Sequence, residues 1–452
     1  MHKLFGTDGI RGLSNEFPID VESIVKISTI VGHLMKSKNS TKRVLIGKDT
    51  RLSSYMIENA ISAGLLAAGM DVFLAGPIPT PGVSFLTRSM RCEFGIMISA
   101  SHNAYPDNGI KFFDHKGEKF SNEMQKKIEK IFYEKKTSEF YCKPDEIGKA
   151  YRVHDVIGRY VEFVKKTFPQ DENLSGIKVV IDAANGAAYK IASEILWELG
   201  AEVVPIGIEP NGKNINLQCG STNLKLLQQT VIQTNSDIGI ALDGDADRIA
   251  IVDDLGKIID GDQIIALLAK NLHDKKKLNK NTVVTTIMSN YGLEKYLKSL
   301  KIKIIRTDVG DKNVYEEINK NDYSIGGEKS GHIIMKKYST TGDGLMVAVQ
   351  VLAILKKLNT KSNELLNIFK EIPQTNINLK MSNKPKIEIS EKLDSIKRFY
   401  EKKIDGRIVI RQSGTEPMIR LMIESEKDES RIVPKIIESI RKYLAKNDVK
   451  IV

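Results

Sequence analysis

Apolar and polar positions along this chain fall into three similar blocks. Each has an apolar run, a polar loop, a stretch of helical spacing and a second apolar run, with a glycine stop after the helix in the first two. The first block is Arg43-Val44-Leu45-Ile46-Gly47, a loop over 48–54, helical spacing over 55–68, Gly69 and then Asp71–Ala75. The second passes from Ile177–Ile181 through Asp182-Ala183-Ala184-Asn185-Gly186 and a helix containing Trp197 to Gly200 and Glu202–Ile206. The third passes from Thr282–Ile287 through Ser289-Asn290-Tyr291-Gly292 and a helix to Lys303–Arg306. Short apolar runs flanking an amphipathic stretch predict βαβ units, with Gly69 and Gly200 ending the first two helices. Three of them predict three α/β domains with mixed or parallel sheets. The last segment reads strand, helix, strand, strand, helix, which predicts a small α+β domain. The lysine-rich stretch 123–149 reads as a solvated helix, an excursion of the first domain. Boundaries near Val153, Asp254 and Phe369–Pro373 give domains 1–153, 154–254, 255–371 and 372–452.

Composition narrows the class. At 452 residues, 41% hydrophobic and 28% charged, this is an ordinary globular chain with ample core. No apolar run approaches a bilayer span, and Met1-His2-Lys3-Leu4-Phe5-Gly6-Thr7-Asp8 has no secretory h-region, so neither membrane insertion nor secretion is expected. Cys92, Cys142 and Cys219 are scattered, odd in number and without CxxC spacing. That predicts a reducing cytoplasm and argues against a disulfide frame or a zinc site. The net charge of +11 is mostly diffuse lysine, as in Lys275-Lys276-Lys277 and Lys356-Lys357. Basic stripes interleaved with aromatics are absent, so nucleic acid is not the expected partner; a phosphorylated small molecule suits the charge as well.

Five polar stretches interrupt the apolar pattern. Gly6-Thr7-Asp8-Gly9-Ile10-Arg11-Gly12 sets three glycines three apart around one Asp and one Arg, a tight turn or a phosphate contact. In Ile96-Met97-Ile98-Ser99-Ala100-Ser101-His102-Asn103 an apolar run ends in small and polar groups, and the turn formers Pro106 and Asn108-Gly109 precede a second run carrying Lys111. A serine at the end of a buried strand beside a histidine is a candidate nucleophile on a rigid support. In Asp243-Gly244-Asp245-Ala246-Asp247-Arg248 three carboxylates alternate between two apolar runs. Such crowding calls for a cation, and a hard divalent ion bound by oxygens supplies one. An EF-hand fails on Arg248 at its sixth position and Asp254 at its twelfth. An aspartyl nucleophile at Asp243 stays open. Gly326-Gly327-Glu328-Lys329-Ser330-Gly331-His332 offers carboxylate, hydroxyl and imidazole on a glycine-flanked loop suited to sugar hydroxyls. Finally, Arg411-Gln412-Ser413-Gly414-Thr415-Glu416-Pro417-Met418-Ile419-Arg420 joins two strands with groups that bind phosphate.

These stretches, in this order, resemble the α-D-phosphohexomutase superfamily over nearly the whole chain. The carrying motifs are GTDGIRG, SASHN…DNGIK, DGDADR, GEKSGH and RQSGTEPMIR. The resemblance implies four domains around a central cleft, three of related α/β fold and a smaller α+β fourth. It implies that Ser101 carries the transferable phosphoryl group, with Mg²⁺ (one ion) held by Asp243, Asp245 and Asp247 beside the serine oxygen. Lys111 and His332 match positions for proton transfer, with His102 and Arg11 beside the phosphoserine. The 327–332 loop, through Glu328 and Ser330, would read the sugar. Arg411, Ser413, Gly414, Thr415 and Arg420 would clamp the phosphate that does not react. Asn214–Thr222 looks like the glucosamine branch, which implies interconversion of glucosamine 6-phosphate and glucosamine 1-phosphate on the route to UDP-N-acetylglucosamine. Glucosamine 1,6-bisphosphate or glucose 1,6-bisphosphate would be the intermediate or activator. The same chemistry on mannose or glucose phosphate is the alternative. A homodimer is compatible with the resemblance. Lys329 stands where this branch more often has Gln, and Ala246 where Gly is common.

Overall fold

Each of the three blocks closes as a pair of neighbouring parallel strands. The computed structural model describes residues 3–6, 8–36, 41–382, 390–412, 418–427, 432–445 and 449. The chain divides into one unit of residues 1–286 and 302–368 and a second of 287–301 and 369–452.

The first unit contains three mixed sheets. Sheet one has β1 (Ile10–Leu13), β2 (Arg43–Lys48), β3 (Asp71–Pro77), β4 (Phe94–Ile98), β5 (Asp107–Asp114) and β6 (Ala150–Arg152), in spatial order β1-β5-β4-β2-β3-β6. β4 reads Phe-Gly-Ile-Met-Ile and is buried throughout, the continuous apolar run of a strand covered on both faces. β2 and β4 are parallel from Val44↔Phe94 to Lys48↔Ile98, so the loops that follow them leave the same sheet edge. The helix Val21–Met35 starts where the Asp20 side chain accepts from Ser23 N. It lies against the helix Ser53–Ala67 so closely that a Cβ on Gly64 would meet Ser28 Oγ at 2.2 Å.

Sheet two has β7 (Lys178–Asp182), β8 (Glu202–Ile206), β9 (Ile238–Leu242), β10 (Ile249–Asp253) and β11 (Ile258–Ile259), ordered β11-β10-β9-β7-β8. β9 and β10 form the antiparallel hairpin whose turn holds the three aspartates. Sheet three has β12 (Thr282–Thr286), β13 (Lys303–Thr307), β14 (Ile325–Gly327) and β15 (Ile333–Met335), ordered β13-β12-β14-β15. The β14–β15 hairpin carries the 327–332 loop.

The second unit has β16 (Gln374–Lys380), β17 (Gly406–Gln412) and β18 (Met418–Ser425) in an antiparallel sheet ordered β16-β18-β17. Two helices, Ser390–Glu401 and Val433–Ala445, cover it over a core that includes Leu379, Ile408, Ile419, Ile436 and Ile440. The helix Tyr291–Ser299, from the third sequence block, groups with this unit. Asn290 brackets Ile372, accepting from its N–H and donating to its C=O, both at 3.0 Å. No helix among the described residues is long and apolar enough to cross a membrane.

Two buried carboxylates of the first unit behave differently under substitution. Asp343 caps the helix Gly344–Leu358, accepting from Met346 N at 2.9 Å and from the Tyr160 hydroxyl at 2.9 Å. Asp182 accepts from Ala184 N and Gly220 N at 2.8 and 2.7 Å. Burial raises both pKa values to about 6. A raised carboxylate pKa means that the folded state binds more protons between about pH 4 and 6, so stability falls as pH rises through that window. Each shift is worth about 3 kcal/mol at most. Asparagine at 343 can still accept from Met346, and its amide can donate to the Tyr160 oxygen, which leaves that hydroxyl's own proton without its acceptor but sets no two donors facing each other. Asp343→Asn should therefore cost less at pH 7 than Asp182→Asn and flatten the pH 4–6 slope. Asparagine at 182 must turn an NH₂ toward an N–H donor, and Asp182→Asn should cost about 1–3 kcal/mol. Denaturant titrations across pH check both; equal losses in the two variants would contradict the assignment.

Candidate active site

Ser101 stands in the loop between β4 and β5 with φ of +55°, a backbone region that a side chain normally avoids. Its surroundings fix it there. Its N–H donates to Ser99 Oγ at 2.9 Å. Its C=O accepts from Arg51 Nη2 at 3.0 Å and from Asn216 Nδ2 at 2.9 Å. Arg51 is fully buried, is held by Asp49, and also donates to the Asn103 and Ala104 carbonyls. A strained backbone persists only where its surroundings over-determine it, and such sites cluster at functional loops. The hydroxyl is buried and donates to Asp243 Oδ2 at 2.5 Å.

Asp243, Asp245 and Asp247 follow β9, and their nearest oxygens all lie within 4.8 Å of one another. Gly244 fits against the serine loop because a Cβ there would lie 2.6 Å from Ser101 O. Asp245 Oδ2 accepts from Thr80 Oγ1 at 2.5 Å and from Lys111 Nζ at 2.8 Å. Asp247 Oδ2 accepts from Lys111 Nζ at 2.9 Å and lies 3.9 Å from His332 Nε2. Burial and the neighbouring Asp247 and Asp245 charges push Asp243 well above the usual carboxylate range. Burial opposes the Lys111 ammonium, but Asp245, Asp247 and Asp8 outweigh it and hold its pKa well above that of a free lysine.

Basic groups close the other sides. Arg11 donates to Asp8 Oδ2 at 2.5 Å and to Ala100 O at 3.3 Å. His102 Nδ1 lies 3.4 Å from Ser101 Oγ and 3.1 Å from Arg248 Nη1. Burial, with Arg248 and Arg11 beside it, lowers the His102 pKa to about 4, so the ring is neutral at pH 7. An isolated bridge between Arg248 and His332 joins the aspartate turn to the β14–β15 loop. In that loop Glu328 Oε1 accepts from Gly310 N at 3.0 Å, His332 is buried and Ser330 is exposed. Lys329 lies 3.3 Å from Asp260.

The structure thus gathers Ser101, His102, Lys111, Arg11, Asp243, Asp245, Asp247 and His332 into one connected cluster. In the second unit, Arg411 and Arg420 are cross-strand partners on β17 and β18. Cross-strand partners share a sheet face, so the two side chains leave the sheet on the same side. Ser413, Gly414 and Thr415 lie outside the described residues. No local pattern in the sequence marks Thr80, Arg51, Asn216, Lys119 or Asp311 as part of this cluster. Arg51 reaches the serine because the parallel pairing of β2 and β4 puts its loop beside that of Ser101.

The aspartate cluster suits a divalent cation. Asp245 Oδ1 and Asp247 Oδ1 are buried with no hydrogen-bond partner among the described residues. Oxygen atoms of three carboxylates and a serine are the donor set of a hard ion.

Four family models match in order. They are phosphoglucomutase/phosphomannomutase alpha/beta/alpha domain I at residues 2–139, domain II at 158–256, domain III at 260–372 and the C-terminal domain at 377–438. The chain belongs to the phosphoglucomutase/phosphomannomutase family. A phosphoglucosamine mutase of Geobacter metallireducens is 48% identical over 428 residues, covering 94% of this chain and 95% of its own. Another, of Chelativorans sp., is 49% identical over 437 residues, covering 96% of each. A crystal structure of a phosphoglucomutase/phosphomannomutase family protein from Burkholderia thailandensis superposes with a TM-score of 0.82 at 23% identity, covering 99% of this chain and 98% of that one.

Proposed function

We propose that this isomerase interconverts glucosamine 6-phosphate and glucosamine 1-phosphate, on the route to UDP-N-acetylglucosamine, by passing a phosphoryl group through Ser101. The carrying observation is the buried Ser101 hydroxyl on the aspartate cluster, 2.5 Å from Asp243. Relatives at 48–49% identity bear the name phosphoglucosamine mutase, which supports the choice of sugar.

The reaction runs in two balanced transfers. In the first, a substrate hydroxyl attacks the phosphorus of phospho-Ser101. A phosphorus–oxygen bond to the sugar forms, the bond to serine breaks, and the hydroxyl proton goes to a base. The resulting 1,6-bisphosphate turns over. The Ser101 oxygen then attacks its other phosphate, so the phosphoserine is restored and the sugar oxygen takes a proton. Lys111 and His332 stand at 2.9 and 3.9 Å from the same oxygen of Asp247, and we assign them to these proton movements. Lys111, held charged, is suited to donate. Asp243, Asp245 and Asp247 would hold Mg²⁺, which when bound offsets charge on the transferring phosphoryl group. Glu328 and Ser330 would read sugar hydroxyls, and Arg411 and Arg420, with Ser413, Gly414 and Thr415, the distal phosphate. The free cysteines Cys92, Cys142 and Cys219 accord with a cytoplasmic setting.

Comparing kcat/KM for glucosamine, glucose and mannose phosphates tests the sugar assignment. A site built to pair with an amine discriminates strongly against a partner lacking it, so a preference of at least about 10²-fold for glucosamine phosphate is expected. Equal or better turnover of glucose or mannose phosphate would replace this reading with the same chemistry on those sugars.

A further inference from the structure

Lys119 has no place in the reaction just described, yet it is a half-buried ammonium touching two carboxylates from distant parts of the chain. Its Nζ donates to Asp8 Oδ1 at 2.5 Å and also to Asp311 Oδ2. Those carboxylates each face a candidate proton-transfer group. Asp8 Oδ2 accepts from Arg11 Nη2 at 2.5 Å and lies 3.2 Å from Lys111 Nζ. Asp311 Oδ2 lies 3.4 Å from His332 Nε2. Lys111, Asp8, Lys119, Asp311 and His332 therefore form one continuous chain of charged and ionisable groups.

We propose that Lys119 is a positioning residue for phosphoryl transfer: through Asp8 it fixes Lys111 and Arg11, and through Asp311 it fixes His332. The inference rests on the roles proposed above for Lys111 and His332.

The backbone around Lys119 is built to hold it. Phe113 and Lys119 pair as an isolated bridge, closing the turn after β5. Gly117 O accepts from Ser84 Oγ at 2.7 Å and from Thr340 Oγ1 at 2.5 Å. Lys312 Nζ donates to Phe120 O at 3.0 Å, and Tyr315 OH donates to Glu118 Oε1 at 2.8 Å. Asp311 begins the helix Asp311–Asn321, where the free N–H groups favour a carboxylate. Burial alone would lower the Lys119 pKa; Asp311 and Asp8 outweigh it, so the charge persists. Without that charge, Asp8 and Asp311 would repel across the space it leaves, and each would pull on its own partner. Displacements of about 1 Å at reacting groups cost on the order of 10²-fold in rate.

The test is steady-state kinetics on full-length, Mg²⁺-loaded protein, using whichever of the three sugar phosphates the wild type turns over. Absence of wild-type turnover on all three would defeat the functional reading. With an active wild type, Lys119→Met should lower kcat by about 10²-fold with KM within about threefold, the split expected when transition-state alignment is lost. Lys119→Arg, which keeps charge and two-sided donation, should recover activity to within about fivefold of wild type. Thermal unfolding shows whether each variant folds; if Lys119→Met does not, Asp311→Asn decides, with a kcat loss of at least about tenfold expected. A folded Lys119→Met with wild-type kcat, a loss confined to KM, a Lys119→Arg as poor as Lys119→Met, or an unaffected Asp311→Asn would each overturn the proposal.

Discussion

Replacing Ser101 by alanine is expected to lower turnover by at least about 10⁴-fold while leaving the fold intact. The hydroxyl is the atom that accepts and returns the phosphoryl group, and no other hydroxyl is bonded to Asp243 among the described residues. The backbone at 101 is held by Ser99, Arg51 and Asn216 through main-chain atoms, which alanine retains. The loss should therefore appear in kcat, with unfolding midpoints near those of wild type. Ser101→Gly adds a control: glycine suits a φ of +55° and also lacks the hydroxyl, so it should be stable and equally inactive. Either variant retaining more than a small fraction of wild-type kcat would remove Ser101 as the nucleophile.

Chelating divalent ions is expected to lower turnover by about 10³-fold, with recovery on adding Mg²⁺. Two charges 4 Å apart interact by about 4 kcal/mol at an effective dielectric of 20. Three converging aspartates therefore strain even the unphosphorylated site, and Lys111, which reaches Asp245 and Asp247 but not Asp243, is shared with Asp8. Phosphoserine adds about −1.5 to −2 charges beside them. Arg248, Arg11 and Lys111 cannot offset all of this, so a further cation is needed. Asp243→Ala should behave like chelation but resist rescue at ordinary Mg²⁺ concentrations. Kinetics after chelation, with and without added metal, read both results; full activity in metal-free protein would contradict the cation's role.

The parts of this site that were legible in the sequence are those made by neighbours in the chain. The three βαβ units follow from apolar runs stopped by Gly69 and Gly200, and each pairs its strands in parallel. Ser101 and the three aspartates stand out because small or charged residues abruptly end buried strands. What stayed hidden depends on tertiary placement. Thr80 reaches Asp245 across 165 residues, Asn216 reaches Ser101 across 115, and Lys119 reaches Asp311 across 192. One lysine in a lysine-rich chain carries no local mark of such a bridge. Arg51 likewise reads as one residue of the polar loop over 48–54, and only the sheet order shows that it supports the serine. The helix Tyr291–Ser299 followed the expected strand–helix–strand grammar, yet Asn290 and the N–H of Tyr291 bond to Ile372 and Glu424 of the last segment. Periodicity locates such a helix without saying what it packs against.

Site mapping of bound phosphate by mass spectrometry shows whether Ser101 carries the phosphoryl group. Full-length protein would be incubated with Mg²⁺ and a hexose 1,6-bisphosphate, then fragmented to locate added mass. One phosphate is expected, on Ser101, and when it is isotopically labelled its label should pass to the sugar phosphates once glucosamine 6-phosphate is added, while Ser101 is rephosphorylated from the intermediate. Phosphate on Asp243, or an unphosphorylated Ser101 after that incubation, would contradict that role for Ser101.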